Sequence, residues 1–130
     1  MSLDAFQETA PWTAYAELQP SNGTDFLDFT PSQRGRLRAD MIVVCSTCTA
    51  DHDVELSIYD GTDHAPVGTV TIPHGAGRSG DNPPIELVTA TVKGQVTGYV
   101  LQQYYQFSVR SRDAIPDGEV ITLTVIGGSL

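Results

Sequence analysis

Arg36-Leu37-Arg38-Ala39-Asp40-Met41-Ile42-Val43-Val44-Cys45 opens with charged and apolar residues in alternation and closes as a continuous apolar run. A period of two marks a strand with one face in water, and an unbroken β-branched run marks one covered on both faces. The stretch therefore predicts a strand that is half exposed at its start and covered on both faces at its end. Downstream, Val54-Glu55-Leu56-Ser57-Ile58-Tyr59 alternates cleanly into Asp60-Gly61, a strong turn pair. Val67 to Ile72 is rich in valine and threonine and stops at Pro73, and His74 to Pro84 reads as a Gly/Pro loop. Ile85 to Val92 is expected to be a further strand, and Gln95 to Ser111 is long enough for two strands or one bent at a bulge. Pro116-Asp117-Gly118 turns into Glu119-Val120-Ile121-Thr122-Leu123-Thr124-Val125-Ile126, a Thr/aliphatic alternation.

No stretch carries a helical period of useful length, and Pro31-Ser32-Gln33 offers one helical turn at most. Seven or eight short strands at these intervals predict an all-β fold, a β-sandwich or jelly roll. Residues 1–35 read differently. Pro11, Pro20, Asn22-Gly23 and Pro31 interrupt them, and only Trp12 to Leu18 alternates like a strand. The expected organisation is thus an extended N-terminal arm or irregular lead-in over 1–35 and a sandwich domain over 36–130.

A chain of 130 residues with 40% hydrophobic content suits one domain with one core. The charge is strongly biased: 16 acidic residues against 7 basic ones give a net −9. Such a chain lacks the cationic surface that neutralises phosphates, so neither nucleic acid nor an anionic membrane is an expected partner. Arg34, Arg36 and Arg38 do cluster, and they read as solvent-facing arginines at a strand start. Met41 to Cys45 is the longest apolar run, far too short to span a bilayer. Met1-Ser2-Leu3-Asp4 lacks the basic and apolar regions of a secretory signal, so synthesis in the cytoplasm is expected.

The chemical motifs are thin. Gly75-Ala76-Gly77-Arg78-Ser79-Gly80 matches the dinucleotide-binding pattern letter for letter, but Asp81-Asn82-Pro83-Pro84 cannot continue as the helix that motif needs. It reads as a surface loop. Cys45, Cys48 and His52, with His64 or His74, would make a zinc set on paper, yet a second tight ligand pair is missing. No metal and no other cofactor is expected, and the two thiols read as free. Asp51, Asp53, Asp60 and Asp63 could gather calcium but do not match the EF-hand spacing, so they read as solvated loop carboxylates. No nucleophile elbow or carboxylate pair stands out, so the chain is read as non-enzymatic. Trp12 with Tyr15, or Tyr104 with Tyr105 and Phe107, could form a sugar-stacking platform; alternating aromatics are more often core on one face and scattered surface on the other.

From Arg36 onward the chain resembles small virion proteins of tailed viruses of bacteria and archaea. In those proteins a strand of the form I-V-V-C-N-T leads into a polar turn, and a G-x-x-I-T-V-T-V-x-G strand ends the domain. Ile42-Val43-Val44-Cys45-Ser46-Thr47 and Gly118 to Gly127 stand in those places here. Ser46 departs from the usual asparagine, and Gln102 to Gln106 is more polar and aromatic than the pattern. The resemblance implies a structural protein located in the virion, a capsid decoration (cement) protein or minor structural component. It further implies the major capsid protein or other virion proteins as partners, and a homo-oligomer with a trimer favoured. A carbohydrate-binding or other non-catalytic binding module is the rival expectation. For the 1–35 segment two readings stand open. Phe6, Trp12, Phe26 and Phe29 either dock on a neighbouring chain or cap the sandwich of their own.

Overall fold

Among the residues that the computed structural model describes (10–78, 82–92 and 99–129), the chain forms nine strands. They are β1 (Ala10–Leu18), β2 (Leu27–Asp28), β3 (Leu37–Ser46), β4 (His52–Tyr59), β5 (His64–Ile72), β6 (Ile85–Glu86), β7 (Tyr99–Leu101), β8 (Gln106–Ser111) and β9 (Ile121–Ser129). A 3-10 turn lies at Pro20–Asn22, and one short helix, α1, spans Leu87–Val92. All pairings are antiparallel. Sheet 1 runs β1-β9-β3, with β6 and β7 sharing the far edge of β3, and sheet 2 runs β2-β8-β4-β5. With β6 and β7 counted as one interrupted strand, this is the strand order of an eight-stranded jelly roll. The all-β sandwich read from the sequence is the observed architecture.

The core lies between the sheets. Leu37, Ala39, Ile42 and Val44 of β3 and Ile121, Leu123 and Val125 of β9 face Val54 and Leu56 of β4 and Phe107 and Val109 of β8, all buried. Phe107 is the largest fully buried side chain; its ring centroid lies 6.2 Å from that of Phe29 and 5.7 Å from that of Tyr99.

The division at residue 35 does not hold. β1 pairs with β9 along its whole length, from Ala10↔Ser129 to Leu18↔Ile121, and β2 pairs with β8. Ala14 and Ala16 turn their small side chains to the core between Trp12 and Leu18, so β1 carries a strand period with little hydrophobic bulk. That is why its signal is faint. Residues 10–35 therefore belong to the sandwich, and the prolines stand outside the strand interiors: Pro11 near the start of edge strand β1, Pro20 in the 3-10 turn, Pro31 in a loop.

Two further differences have clear causes. First, the apolar end of β3, expected to be covered on both faces, is not fully covered. Its register shifts between Ala39 and Met41, a bulge at Asp40 that leaves Arg38 and Met41 on the same outer side, and Met41 stays exposed. Second, Ile85 to Val92 is not one strand. After two residues the chain leaves the sheet and turns into α1, because the Glu86 carboxylate caps it. Glu86 accepts hydrogen bonds from the Val88 and Thr89 N–H groups at 2.8 and 2.9 Å, and from the Ile42 N–H of β3 at 2.9 Å. Leu87 and Val88 are buried, so the cap also seats α1 over the β3 and β5 edges.

Burial pushes the Glu86 carboxyl up, but the hydrogen bonds from Ile42, Thr89 and Val88 outweigh it and hold the group below the usual glutamate range. A carboxylate favoured in the folded state stabilises the fold above its unfolded value of about 4.3, and that contribution is lost as pH falls through the lower folded value. Glu86→Gln is expected to cost about 1–3 kcal/mol at pH 7, since its amide turns donors toward donors. The gap between the two proteins in urea melts should narrow below about pH 4. A gap that stays constant down to pH 3 would show that charge on Glu86 contributes nothing.

Candidate interaction surface

Each sheet has an outer face, and the two are covered in different ways. On sheet 1 the outward positions form rows across the strands: Glu17–Thr122–Cys45, Tyr15–Thr124–Val43 and Thr13–Ile126–Met41. The first row is covered. The loop after β5 folds back so that Gly77 touches Cys45, where an added Cβ would lie 2.7 Å from Sγ, and Arg78 reaches Thr122 Oγ1 at 3.4 Å. The other two rows stand bare: Tyr15 is 61% exposed and Met41 and Ile126 are 43% exposed. Half-buried Val43 completes a contiguous apolar surface with these three. Single exposed apolar residues need no explanation, but a cluster across three strands does.

Sheet 2 closes its own outer face. Ser57 and Ser108 sit opposite each other on the central strands and are fully buried, although they point away from the core. Their small size leaves room for a lid of longer side chains. His64 of β5 lies between two rings, 4.0 Å from Phe26 and 4.5 Å from Tyr59 by centroid. The Arg110 guanidinium sits 4.8 Å over the other contact of the lid, the Phe26 ring, and pairs with Glu55 at 3.1 Å. The Ser108 hydroxyl donates to Asp28 Oδ1, and His64 Nε2 lies 3.6 Å from the same oxygen. Serine, aspartate and histidine thus meet, but the hydroxyl is spent on the carboxylate and not turned to the imidazole. A nucleophile needs an open approach as well as a base, and Ser108 is fully buried. The cluster joins the two edge strands, β2 and β5, across the sheet.

The residues singled out in the 1–35 segment are dispersed. Trp12 turns inward and donates from Nε1 to the Arg38 carbonyl at 3.2 Å. Phe29 is core, and Phe26 stacks in the sheet 2 lid. Phe6 lies outside the described residues. Three of the four aromatics are thus engaged within their own chain. The thiols and His52 do not converge either. Cys45 and Cys48 are both unpaired, and among the described residues no three His, Cys, Asp or Glu side chains gather. Burial pushes the Cys48 thiol up, and the Glu119 carboxylate adds to it against the Ser46 hydroxyl, which disfavours the thiolate a metal would need. The aspartates serve turns and strand ends: Asp51 accepts from His74, Asp53 from Thr71, and Asp60 from the Thr62 and Asp63 N–H groups. Sequence reasoning missed the bare face, because Tyr15, Met41 and Ile126 lie far apart along the chain and only the pairing of β1, β9 and β3 assembles them.

A solved structure shares this architecture. The chain is similar to a chain in the acidic stable capsid structure of Helicobacter pylori bacteriophage KHP30, with a TM-score of 0.61 and 12% sequence identity. The match covers 95% of this chain and 90% of the other, so the likeness extends to the whole sandwich and includes the β1 and β2 segment. It is a likeness of fold. No protein-family model matches the sequence, and no curated protein sequence matches it.

Jelly rolls recur in viral capsid and lectin domains. What distinguishes one use from another is the surface grafted on the fold. In this chain the outer face of sheet 1 is an apolar surface that the sandwich itself leaves uncovered, and it lies on regular strands with fixed side-chain directions.

Proposed function

We propose that this chain is a non-catalytic structural protein of a virion, a capsid decoration protein that docks on the major capsid protein or a neighbouring virion protein through the outer face of sheet 1. The observation that carries the reading is the fold shared, end to end, with a chain of a phage capsid. The bare face supports it. Tyr15, Met41, Val43 and Ile126 stand on a rigid sheet with Thr13 and Thr124 among them, and Glu86, which continues the second row opposite Val43, spends its carboxylate on the Ile42, Val88 and Thr89 N–H groups. An apolar centre of this kind releases water on contact, at about 25 cal/mol per Å² buried. A net charge of −9 favours solubility of the free protein. On this reading the protein is made in the host cytoplasm and joins the capsid as a homo-oligomer, with a trimer favoured.

The test has two arms. Mass spectrometry of purified virions should find the chain at a stoichiometry set by capsid symmetry. In vitro, the Met41→Lys/Ile126→Lys double variant should melt like the parent protein, because both positions are exposed, yet bind undecorated capsids at least about 100-fold more weakly, as expected for hot-spot truncation. Unchanged binding by the folded variant would remove the sheet 1 face from the interface, and absence from virions would remove the function.

A further inference from the structure

The end of the sandwich where β3 begins is built from two loops, 30–36 and 102–105, and they are stitched together. The Thr30 hydroxyl accepts the Phe107 N–H at 2.8 Å, and the Thr30 carbonyl accepts Gln106 Nε2 at 2.8 Å. Tyr104 is held from both sides: its N–H donates to the Gln33 carbonyl at 2.7 Å, and its carbonyl accepts the Ser32 hydroxyl at 3.1 Å. Its backbone has φ of 67°, and it is the sole non-glycine residue at positive φ among the described residues. The Tyr105 N–H closes a turn onto the Gln102 carbonyl at 3.1 Å, which puts Tyr104 at a turn position where glycine or asparagine is usual. A bulky aromatic there is strained, and the strain is not repaid by burial, since the residue is 54% exposed.

The same stitched pair of loops carries Arg34 and Arg36. Both are exposed, and neither forms an ion pair with a described residue. Elsewhere Arg38 is bound to Asp40, and Arg110 and Arg112 to Glu55. Two guanidiniums with no ion pair among the described residues thus share these loops with a fixed, exposed tyrosine in a chain of net charge −9. The carboxylates Asp51, Asp53, Asp113, Asp117 and Glu119 lie at the opposite end of the strands. Nine residues of β9 separate the ends by about 30 Å, more than three Debye lengths at physiological salt, about 8 Å each. Their repulsion does not reach this corner; the carboxylates that share its end include Asp60 and Asp63 of the β4–β5 turn, and Asp60 is occupied by the Thr62 and Asp63 N–H groups.

We infer that this corner binds a carboxylate-bearing saccharide: the Tyr104 ring stacks on a sugar face, and Arg34 and Arg36 take the carboxylate. The surroundings favour a sugar over a protein partner. A protein hot spot rings its aromatic with apolar neighbours that exclude water; here Tyr105 and Val100 add exposed apolar surface, but Ser32, Gln33, Gln102 and Gln103 in the same loops are hydrogen-bonding groups suited to hydroxyls. Two free cations are too few for a nucleic acid backbone. A planar guanidinium matches a carboxylate in two-point geometry. The site is separate from the apolar face of sheet 1 and does not rest on docking to a capsid.

Isothermal titration and amide chemical-shift mapping with tri-galacturonate test it, with the neutral galactose trimer and a tri-glutamate peptide as comparators. Tri-galacturonate should bind with shifts confined to residues 32–36 and 102–105, and at least about 10-fold tighter than either comparator. Arg34→Ser/Arg36→Ser should lose that 10-fold preference for the acidic over the neutral sugar. Tyr104→Gly is the decisive variant: a glycine relieves the left-handed backbone, so the protein should melt at the same temperature or higher while binding falls at least about 10-fold. Tyr104→Asn serves as a second variant of the same kind. The Met41→Lys/Ile126→Lys protein should bind the sugar normally, so the two sites fail independently. The proposal is overturned by absence of binding at millimolar tri-galacturonate, by equal binding of the neutral trimer, by tighter binding of the peptide, or by a Tyr104→Gly protein that keeps its affinity.

Discussion

Gly127→Ala is expected to be the most damaging single-methyl change in this chain, costing more than about 3 kcal/mol or preventing folding altogether. Gly127 lies in the middle of sheet 1, in register between Trp12 on β1 and Ala39 on β3. A Cβ added there would lie 1.8 Å from the Arg38 carbonyl oxygen, 2.9 Å from its carbon and 3.0 Å from Trp12 Nε1. The obstacle is backbone, which cannot swing aside as a side chain can. Relief requires β3 and β9 to separate, at the place where the bulge and the Trp12 hydrogen bond lock three strands together. Domains of this size are stable by about 5–15 kcal/mol, so the loss is a large fraction of the whole. Gly68→Ala is the matched control. Its Cβ would meet only the Thr91 side chain, the methyl at 3.2 Å and the Cβ at 3.6 Å, and a small shift of that side chain accommodates it. Urea melts of the two variants should differ by at least about 2 kcal/mol. Equal stabilities would mean that the Trp12–Gly127–Arg38 contact is not as close as described.

Removal of residues 1–34 is expected to abolish cooperative folding. On an arm reading, a chain starting at Gly35 would stay folded and lose only its partner. The pairing of β1 with β9 and of β2 with β8 gives the opposite expectation. Leu18 and Phe29 are buried, and their removal alone forfeits about 3–6 kcal/mol of hydrophobic stabilisation. The truncation also withdraws Trp12 and Leu27 from the core and Phe26 from the sheet 2 lid, and turns β9 into an uncovered edge with free backbone groups. Near-UV circular dichroism and thermal scans should show no native signal and no sharp transition, with aggregation from the exposed edge. A truncated chain that melts cooperatively would restore the arm as a separate unit and remove β1 and β2 from the folding core.

The strands that were legible in the sequence are those whose inward residues are large. Ile121, Leu123 and Val125 alternate with Thr122 and Thr124, and Val54 and Leu56 with Glu55, so period and bulk agree. Where they disagree the reading fails. β1 alternates, but its inward Ala14 and Ala16 contribute little hydrophobic signal, and β2 is only two residues long, so the prolines around them dominate. Leu87 to Val92 is β-branched and reads as a strand; one carboxylate, Glu86, satisfies three N–H groups and makes the helix preferable. No local pattern announces that. The candidate surfaces were less legible still. Tyr104 was visible as an aromatic, but its left-handed backbone and its two bonds to the 30–36 loop were not.

By itself the sequence determined the class of the fold, all-β and layered, because alternation between i and i+2 is a local property that one strand carries without its neighbours. It also determined the electrostatic character, since net charge is a sum that no packing alters. Only the tertiary structure decided which strands became neighbours. β1 meets β9 across more than a hundred positions of chain, and nothing within either segment encodes the other; the choice falls to the one arrangement in which Trp12, Gly127 and Ala39 fit side by side. The same is true of the surfaces. Whether an outward residue stays bare depends on what folds over it. Cys45 and Met41 are four positions apart on one strand and face the same side, and the loop carrying Gly77 covers the first and stops short of the second.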